Sequence, residues 1–125
     1  MSHLLDVNVL LAAAWRNHSQ HAEAEAWLKG KTVTVCPIAE LGFLRVSTNS
    51  KAVNAAMADA RSALEAFLSR TKAGRIPDDL PALESKPRRS EEVTDHYLAD
   101  LAQKHGLKLA TFDASIKHRA IELIA

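Results

Sequence analysis

Four acidic residues stand apart from the other acids of this chain because apolar residues surround them, precede them or closely follow them. Asp6 ends the run HLLD, Glu40 lies within PIAELGFL, Asp95 precedes YLADLA, and Asp113 ends LKLATFD. Burying a carboxylate in such a setting costs free energy unless a partner compensates for it. These four residues are therefore the first candidates for chemistry.

Their positions in the sequence predict that they lie close together in the fold. Asp6 and Asp113 follow predicted strands, Glu40 falls in the first turn of a predicted helix, and Asp95 lies near a helix N-terminus. In a parallel α/β sheet all strands end at one edge, and ligand crevices open there. Carboxylates brought together repel, so their pKa values rise unless a cation neutralises them. Oxygen ligands of this kind suit Mg²⁺ or Mn²⁺, which predicts an acidic metal site.

Three of these acids also have a simpler interpretation as helix caps. Asp95 can be stabilised by a helix dipole with Thr94 as the N-cap, and Asp6 and Asp113 can each cap the helix that follows. Glu40 is harder to explain in this way, because glutamate is not a favoured capping residue and its neighbours are apolar. Both interpretations stay open from the residues alone.

The elements that must position these acids follow from the hydrophobic pattern. Strand and helix patterns alternate, which predicts an α/β domain with a mainly parallel sheet. The predicted strands span 3–6, 32–37, 75–77 and 107–113. The predicted helices span 7–16, 18–29, 38–49, 54–70 and 94–106, with a loop at 78–92 and a short helix after 113. In helix 54–70, one face carries Met57, Ala60, Leu64, Phe67 and Leu68.

Composition narrows the class of protein further. A chain of 125 residues with 47% hydrophobic and 25% charged residues fits one globular domain over 1–125. Its net charge of +1 means that a nucleic acid would have to be held by a local basic patch. Cys36 is the single cysteine, and no apolar run approaches the length of a membrane span. We therefore expect a cytoplasmic protein without a membrane partner.

Three motifs, taken in order, resemble those of the PIN-domain nucleases and specifically the VapC-type toxins of toxin–antitoxin pairs. They are LLDVNVLLA, CPIAELGFLRV and VTDHYLADLAQKHGLKLATFD. Their order, their spacing and the length of the chain are similar to that family, whereas residues 50–92 match only in helical character. The resemblance implies a PIN-like three-layer domain in which helices flank a central, mainly parallel sheet.

The same resemblance carries the family's site onto particular residues of this chain. Its acidic quartet falls on Asp6, Glu40, Asp95 and Asp113, as both the catalytic and the metal-binding residues. Asn8 and Thr111 match polar positions that orient these acids. The candidate RNA contacts are the basic residues that closely follow the motifs: Arg16, Arg45, Lys117, His118 and Arg119. Arg88 and Arg89 lie in the predicted loop and suit contact with RNA or with a protein partner equally well.

The function that the resemblance implies is a metal-dependent endoribonuclease toxin. It would use Mg²⁺ or Mn²⁺, cleave structured RNA of the tRNA or ribosomal RNA class, form a homodimer, and be neutralised by a cognate antitoxin. Two alternatives stay open: a PIN-like RNA-processing nuclease that is not a toxin, and a non-catalytic module that binds RNA or protein. A phosphatase of the haloacid-dehalogenase type is disfavoured, because its chemistry needs a second acid two residues after the first, where this chain has Asn8.

Overall fold

A single five-stranded parallel sheet organises residues 2–124, the part of the chain that the computed structural model describes. The strands are β1 (Ser2–Leu5), β2 (Thr32–Val35), β3 (Gly74–Arg75), β4 (Lys108–Thr111) and β5 (Ile121–Leu123). The flanking helices are α1 (Val7–Ala14), α2 (His21–Leu28), α3 (Pro37–Thr48), α4 (Met57–Thr71) and α5 (Val93–Lys104). Two short 3₁₀ turns, Ala82–Glu84 and Ser90–Glu92, lie between β3 and α5. The predicted α/β fold with helices flanking a parallel sheet is confirmed.

Strand β1 lies at the centre of the sheet, whose order is β3-β2-β1-β4-β5. Leu4 lies opposite Thr34 of β2 on one side and opposite Leu109 of β4 on the other. Because every pairing is parallel, all five strands end at the same edge. The residues that follow β1, β2 and β4 therefore meet at that edge, where a ligand crevice is expected.

The core forms where apolar strand residues meet the apolar stripes of the helices. Leu5, Val35 and Leu109 are fully buried on the strands, and Phe43 of α3 and Leu98 of α5 are fully buried against them. Strands buried in this way read as short continuous apolar runs, which is why the sequence predicts β1, β2 and β4. No helix within residues 2–124 is both long enough and apolar enough to cross a membrane.

The ends of several elements differ from the prediction, each for a local reason. Helix α5 begins at Val93, because the 3₁₀ turn before it makes Glu92 the N-cap, so the N-cap role predicted for Thr94 is wrong. The short helix predicted after Asp113 is wrong as well, since 114–120 contain two turns joined by irregular backbone. Met57 is 52% exposed and does not belong to the buried face of α4.

Helices α1 and α3 pack closely at Gly42. A Cβ atom built at Gly42 would lie 2.6 Å from Cγ2 of Val7, the residue that begins α1. Valine has one strongly preferred rotamer in a helix and cannot easily turn away. The absence of a side chain at Gly42 therefore sets how closely α3 approaches the start of α1.

We predict that Gly42→Ala destabilises the protein because its new methyl group overlaps Val7. Overpacking of this kind typically costs about 1–3 kcal/mol in the free energy of unfolding. Chemical denaturation of the wild type, the two single variants and the double variant Val7→Ala/Gly42→Ala gives the coupling between the two positions. Gly42→Ala should cost clearly less in the Val7→Ala background, and equal costs in both backgrounds would contradict the overlap.

Candidate active site

Asp6 is the most buried of the four candidate acids, at 2% exposure. It directly follows the central strand β1 and is the N-cap of α1, whose first N–H, that of Val7, donates to Oδ1 at 2.7 Å. Its other oxygen, Oδ2, accepts a 2.7 Å hydrogen bond from the Thr111 hydroxyl. The cap predicted for Asp6 is therefore present. Two hydrogen bonds fix the carboxylate at the edge where the strands end.

Thr111 joins the end of β4 to this carboxylate and to two further residues. Its Oγ1 accepts a hydrogen bond from the Asn8 amide nitrogen at 3.1 Å and another from the Asp113 N–H at 3.1 Å. The amide oxygen of Asn8 in turn accepts the N–H of Phe112 at 3.3 Å. These contacts are the ones that an orienting role for Asn8 and Thr111 requires.

Asp6, Asp95 and Asp113 lie close enough to influence one another electrostatically. Burial is the main reason that the pKa of Asp95 rises to about 6, and the negative charges of Asp6 and Asp113 raise it further. Burial also raises the pKa of Asp6, against the lowering effect of the hydrogen bonds from Thr111 and Val7. Three of the four predicted acids are therefore brought together.

Asp113 differs from the other two because its own turn supplies hydrogen bonds. Its Oδ1 accepts the Ser115 hydroxyl at 2.6 Å and the Ser115 N–H at 2.9 Å. These two bonds lower the pKa of Asp113, so this carboxylate is ionised at neutral pH. This turn stands where a helix was predicted. Asp113 therefore caps no helix, and its carboxylate accepts the hydrogen bonds of the turn instead.

Glu40 occupies the predicted first turn of α3, but its carboxylate is engaged elsewhere. Both of its oxygens accept hydrogen bonds from Nη1 of Arg75, each at 3.0 Å. Arg75 is the last residue of β3. This strand pairs with β2, and β2 is the strand that precedes α3 in the sequence. The Arg75 side chain is 64% exposed and that of Glu40 is 16% exposed. The place of Glu40 in the site stays a prediction.

The acids fit a cation that keeps much of its water. Within residues 2–124, no three His, Cys, Asp or Glu side chains form a ready-made set of direct metal ligands. Mg²⁺ commonly binds through one or two carboxylates and retains several waters. The raised pKa values of Asp6 and Asp95 indicate carboxylates that lack neutralising positive charge. These residues therefore suit a divalent cation that keeps several water ligands better than one whose ligands all come from the protein.

A cavity of about 390 Å³ opens beside Asp95 and Asp113. Four cationic side chains line it: Lys86, Arg88, Arg89 and Lys117. Arg89 pairs with Glu91 and Glu92, whereas Lys86, Arg88 and Lys117 form no ion pair with any residue among 2–124. The sequence-based choice of Lys117 as a basic residue near the acids agrees with this geometry, and the loop arginines adjoin the same cavity.

The other basic candidates lie elsewhere or point inward. Arg16 follows the C-terminal end of α1, about 12 Å along the helix axis from Asp6, and lines a separate groove. Arg45 lies in the last turn of α3, also far along its helix from the strand edge. Arg119 is exposed but does not line the cavity. His118, with a side chain 8% exposed, contacts Asp100 at 2.7 Å, and its contact with RNA stays a prediction.

Two residues of α5 that were not singled out from the sequence, His96 and Asp100, belong to this region. His96 lines the cavity directly beside Asp95, and its Nδ1 lies 3.0 Å from Oδ2 of Asp100. The i,i+4 spacing of a histidine and an aspartate on one helix face was the available signal. It is weak, because such pairs also occur on ordinary helix surfaces.

Known proteins share this sequence pattern and this fold. The PIN domain family model matches residues 3–122. Ribonuclease VapC38 of Mycobacterium tuberculosis is 38% identical over 126 residues, covering 90% of this chain and 86% of that protein. Ribonuclease VapC39 of the same species is 32% identical over 131 residues, covering 96% and 94%. The crystal structure of VapBC2 from Rickettsia felis, bound to a DNA fragment from their promoter, contains a chain with a TM-score of 0.62 at 18% identity, covering 92% of this chain and 90% of that chain.

We predict that Asp95→Asn stabilises the metal-free protein in a pH-dependent way. The raised pKa of Asp95 means that the folded state binds this proton more tightly than the unfolded chain does. Ionised Asp95 therefore costs stability increasingly as pH rises from the ordinary aspartate pKa of 3.8 through about 6. Above that range the variant should gain about 1–2 kcal/mol in the free energy of unfolding, and well below it nothing.

Chemical denaturation in a chelating buffer at several pH values measures this effect. Asp59→Asn is the matched control, because Asp59 is an exposed acid in the first turn of α4. The control should show no gain that grows with pH. A stability difference for Asp95→Asn that is constant from about pH 4 to about pH 8 would contradict burial and charge repulsion at Asp95 as the cause.

Proposed function

Because this chain belongs to the PIN-domain family, we propose that it is an endoribonuclease whose active site contains Asp6, Asp95 and Asp113, with Glu40 as the fourth acid. The sequence match extends over residues 3–122, and the relatives at 38% and 32% identity are ribonucleases. The observation that carries the proposal is the convergence of three carboxylates at the edge where the parallel strands end.

We infer that Asp6, Asp95 and Asp113 hold Mg²⁺ or Mn²⁺ in the working enzyme. When bound, such an ion lowers the pKa of a coordinated water and polarises phosphoryl oxygens. The protein's part is to hold the carboxylates in place. Thr111 and the Val7 N–H fix both oxygens of Asp6, and Ser115 keeps Asp113 ionised.

Glu40 can join this group at small cost. Its partner Arg75 is largely exposed, and an ion pair competing with water is worth at most about 1 kcal/mol. A rotation of the Glu40 side chain away from Arg75 therefore sacrifices little stability. The position of Glu40, in the first turn after β2, is at the same edge of the sheet as Asp6.

The cationic cavity supports a polyanionic substrate. Lys86, Arg88 and Lys117 lie beside the acids without carboxylate partners among the described residues, so they are available to phosphates. Positive charge next to an acidic centre offsets the repulsion between carboxylates and a nucleic-acid backbone. Because the net charge of the whole chain is only +1, a nucleic acid has to be attracted by a local group of basic side chains such as this one.

We also propose that a cognate antitoxin neutralises the protein and that the protein forms a homodimer. The ribonuclease relatives and the structural similarity to a VapBC2 chain support a toxin of this kind. The tRNA or ribosomal RNA class of substrate stays a prediction of the family resemblance, and the cytoplasmic location stays a prediction of the composition.

The purified protein should cleave RNA only with Mg²⁺ or Mn²⁺ present, and EDTA should abolish cleavage. Asp6→Asn and Asp113→Asn should each lower kcat/KM by about 100-fold or more, since each removes a proposed metal-binding carboxylate. Attack by water should leave 5′-phosphate and 3′-hydroxyl ends, which end-labelling and mass spectrometry distinguish from other products.

The matched control is again Asp59→Asn, which removes an acid far from the strand edge and should keep full activity. Circular dichroism would establish that the inactive variants are folded. Full activity of Asp6→Asn, cleavage that persists in EDTA, or a 2′,3′-cyclic phosphate product would each contradict the proposed site. Binding of RNA without any cleavage would favour the non-catalytic alternative.

A further inference from the structure

His96 is a polar side chain of the cavity that the proposed chemistry does not use. It follows Asp95 in α5 and lines the same cavity as Asp113 and the basic side chains Arg88 and Lys117. The His96 side chain is 22% exposed, so it is partly held by the protein and partly open to the cavity. A substrate bound in this cavity beside Asp95 and Asp113 is therefore near this imidazole.

Three contacts fix the orientation of the His96 ring. Its Nδ1 lies 3.0 Å from Asp100 Oδ2 and 3.2 Å from the Ser85 hydroxyl. The ring of His118 stands edge-on to it, with centroids 5.3 Å apart and planes at 81°. Asp100 also holds His118, through a 2.7 Å contact between Oδ1 and Nε2. One carboxylate thus positions two imidazoles.

The same contacts determine which nitrogen of His96 carries hydrogen. Burial alone would raise the pKa of Asp100, but hydrogen bonds from His118 and Ser85 outweigh it and lower the pKa. Asp100 is therefore ionised, and its oxygens can only accept hydrogen bonds. Nδ1 of His96 must then donate to Asp100. In the neutral ring this leaves the lone pair on Nε2.

Nε2 of His96 is free to meet a ligand. It makes no hydrogen bond with any residue among 2–124, where the hydrogen bonds of the His96 ring all involve Nδ1. In this part of the chain, the buried polar atoms that lack a hydrogen-bond partner belong to His3 and Asp78. Because Nε2 of His96 also lacks a partner and is not one of them, it is not fully buried. The atom is therefore an oriented hydrogen-bond acceptor that is not fully buried, on a residue that lines the cavity.

An acceptor at this point selects for a donor on the substrate. The cationic side chains draw the sugar–phosphate backbone into the cavity, and phosphate oxygens are acceptors. The ribose 2′-hydroxyl is the donor that an RNA backbone offers and a DNA backbone lacks. We propose that His96 Nε2 accepts a hydrogen bond from the 2′-hydroxyl of a nucleotide flanking the cleaved phosphate, and so favours RNA over DNA. This inference rests on the proposed nuclease function.

The test uses a short RNA that the wild-type protein cleaves at one site, with single 2′-deoxy substitutions at each flanking nucleotide. One such substitution should lower kcat/KM for the wild type by about 2- to 10-fold, the range expected for one hydrogen bond. His96→Phe should lose a similar factor on the all-ribose substrate and show no further loss with that deoxy substitution. His96→Gln, which keeps an acceptor oxygen, should retain part of the discrimination.

His105→Phe is the matched control, because His105 follows the opposite end of α5 and also contacts an aspartate, Asp79, at 2.8 Å. The His105→Phe variant should lose the same factor in kcat/KM on 2′-deoxy substitution as the wild type does. Thermal unfolding checks that every variant is folded. The ¹⁵N shifts of the His96 ring in the free protein provide a readout independent of activity, and they should place the lone pair on Nε2.

Two results would overturn the inference and leave the nuclease function standing. One is a His96→Phe variant that cleaves RNA and still loses the same factor on 2′-deoxy substitution as the wild type. The other is a defect in His96→Phe that disappears on methylphosphonate substitution of one phosphate instead, which would mean that the ring donates to phosphate. A wild-type protein that cleaves no RNA under any metal condition would overturn both this inference and the proposed function.

Discussion

The arrangement of this protein depends on one buried carboxylate at the end of the central strand. Asp6 is 2% exposed, and its two oxygens are held by Thr111 from the neighbouring strand β4 and by the first N–H of α1. These bonds offset part of the desolvation cost but leave the pKa of Asp6 raised. Placing Asp95 and Asp113 nearby adds repulsion. The fold thus maintains an electrostatic cost at the point where a cation is proposed to bind.

Much of the fold could be predicted from the sequence, because buried strands and amphipathic helices carry strong periodic signals. The parallel sheet and α3, which begins at Pro37, were predicted correctly. The errors arose where short-range polar contacts compete with periodicity. Hydrogen bonds from Ser115 to Asp113 form a turn in place of a helix, and a 3₁₀ turn places the start of α5 before the predicted cap, Thr94.

The site was predicted in part. Asp6, Asp95 and Asp113 were expected to converge, because elements of a parallel sheet present them at one edge. The contact between Glu40 and Arg75 could not be predicted, since it depends on how β3 pairs with β2 across a long separation in sequence. Arg16 was chosen for its closeness to a motif in sequence, but α1 carries it away from the strand edge. His96 and Asp100 were missed because their importance comes from the cavity beside them.

Proton release on metal binding tests the central claim most directly, and titration calorimetry in buffers of different ionisation enthalpy measures it. If Asp6, Asp95 and Asp113 hold a divalent cation, binding of Mn²⁺ near the pKa of Asp95, about 6, must displace the proton that Asp95 carries in part of the molecules. We predict release of about half a proton per ion from Asp95 near pH 6, little release at about pH 8, and weaker binding to Asp95→Asn at about pH 8. Binding that is independent of pH across this range, without proton release and unchanged in Asp95→Asn, would contradict a metal site built from these acids.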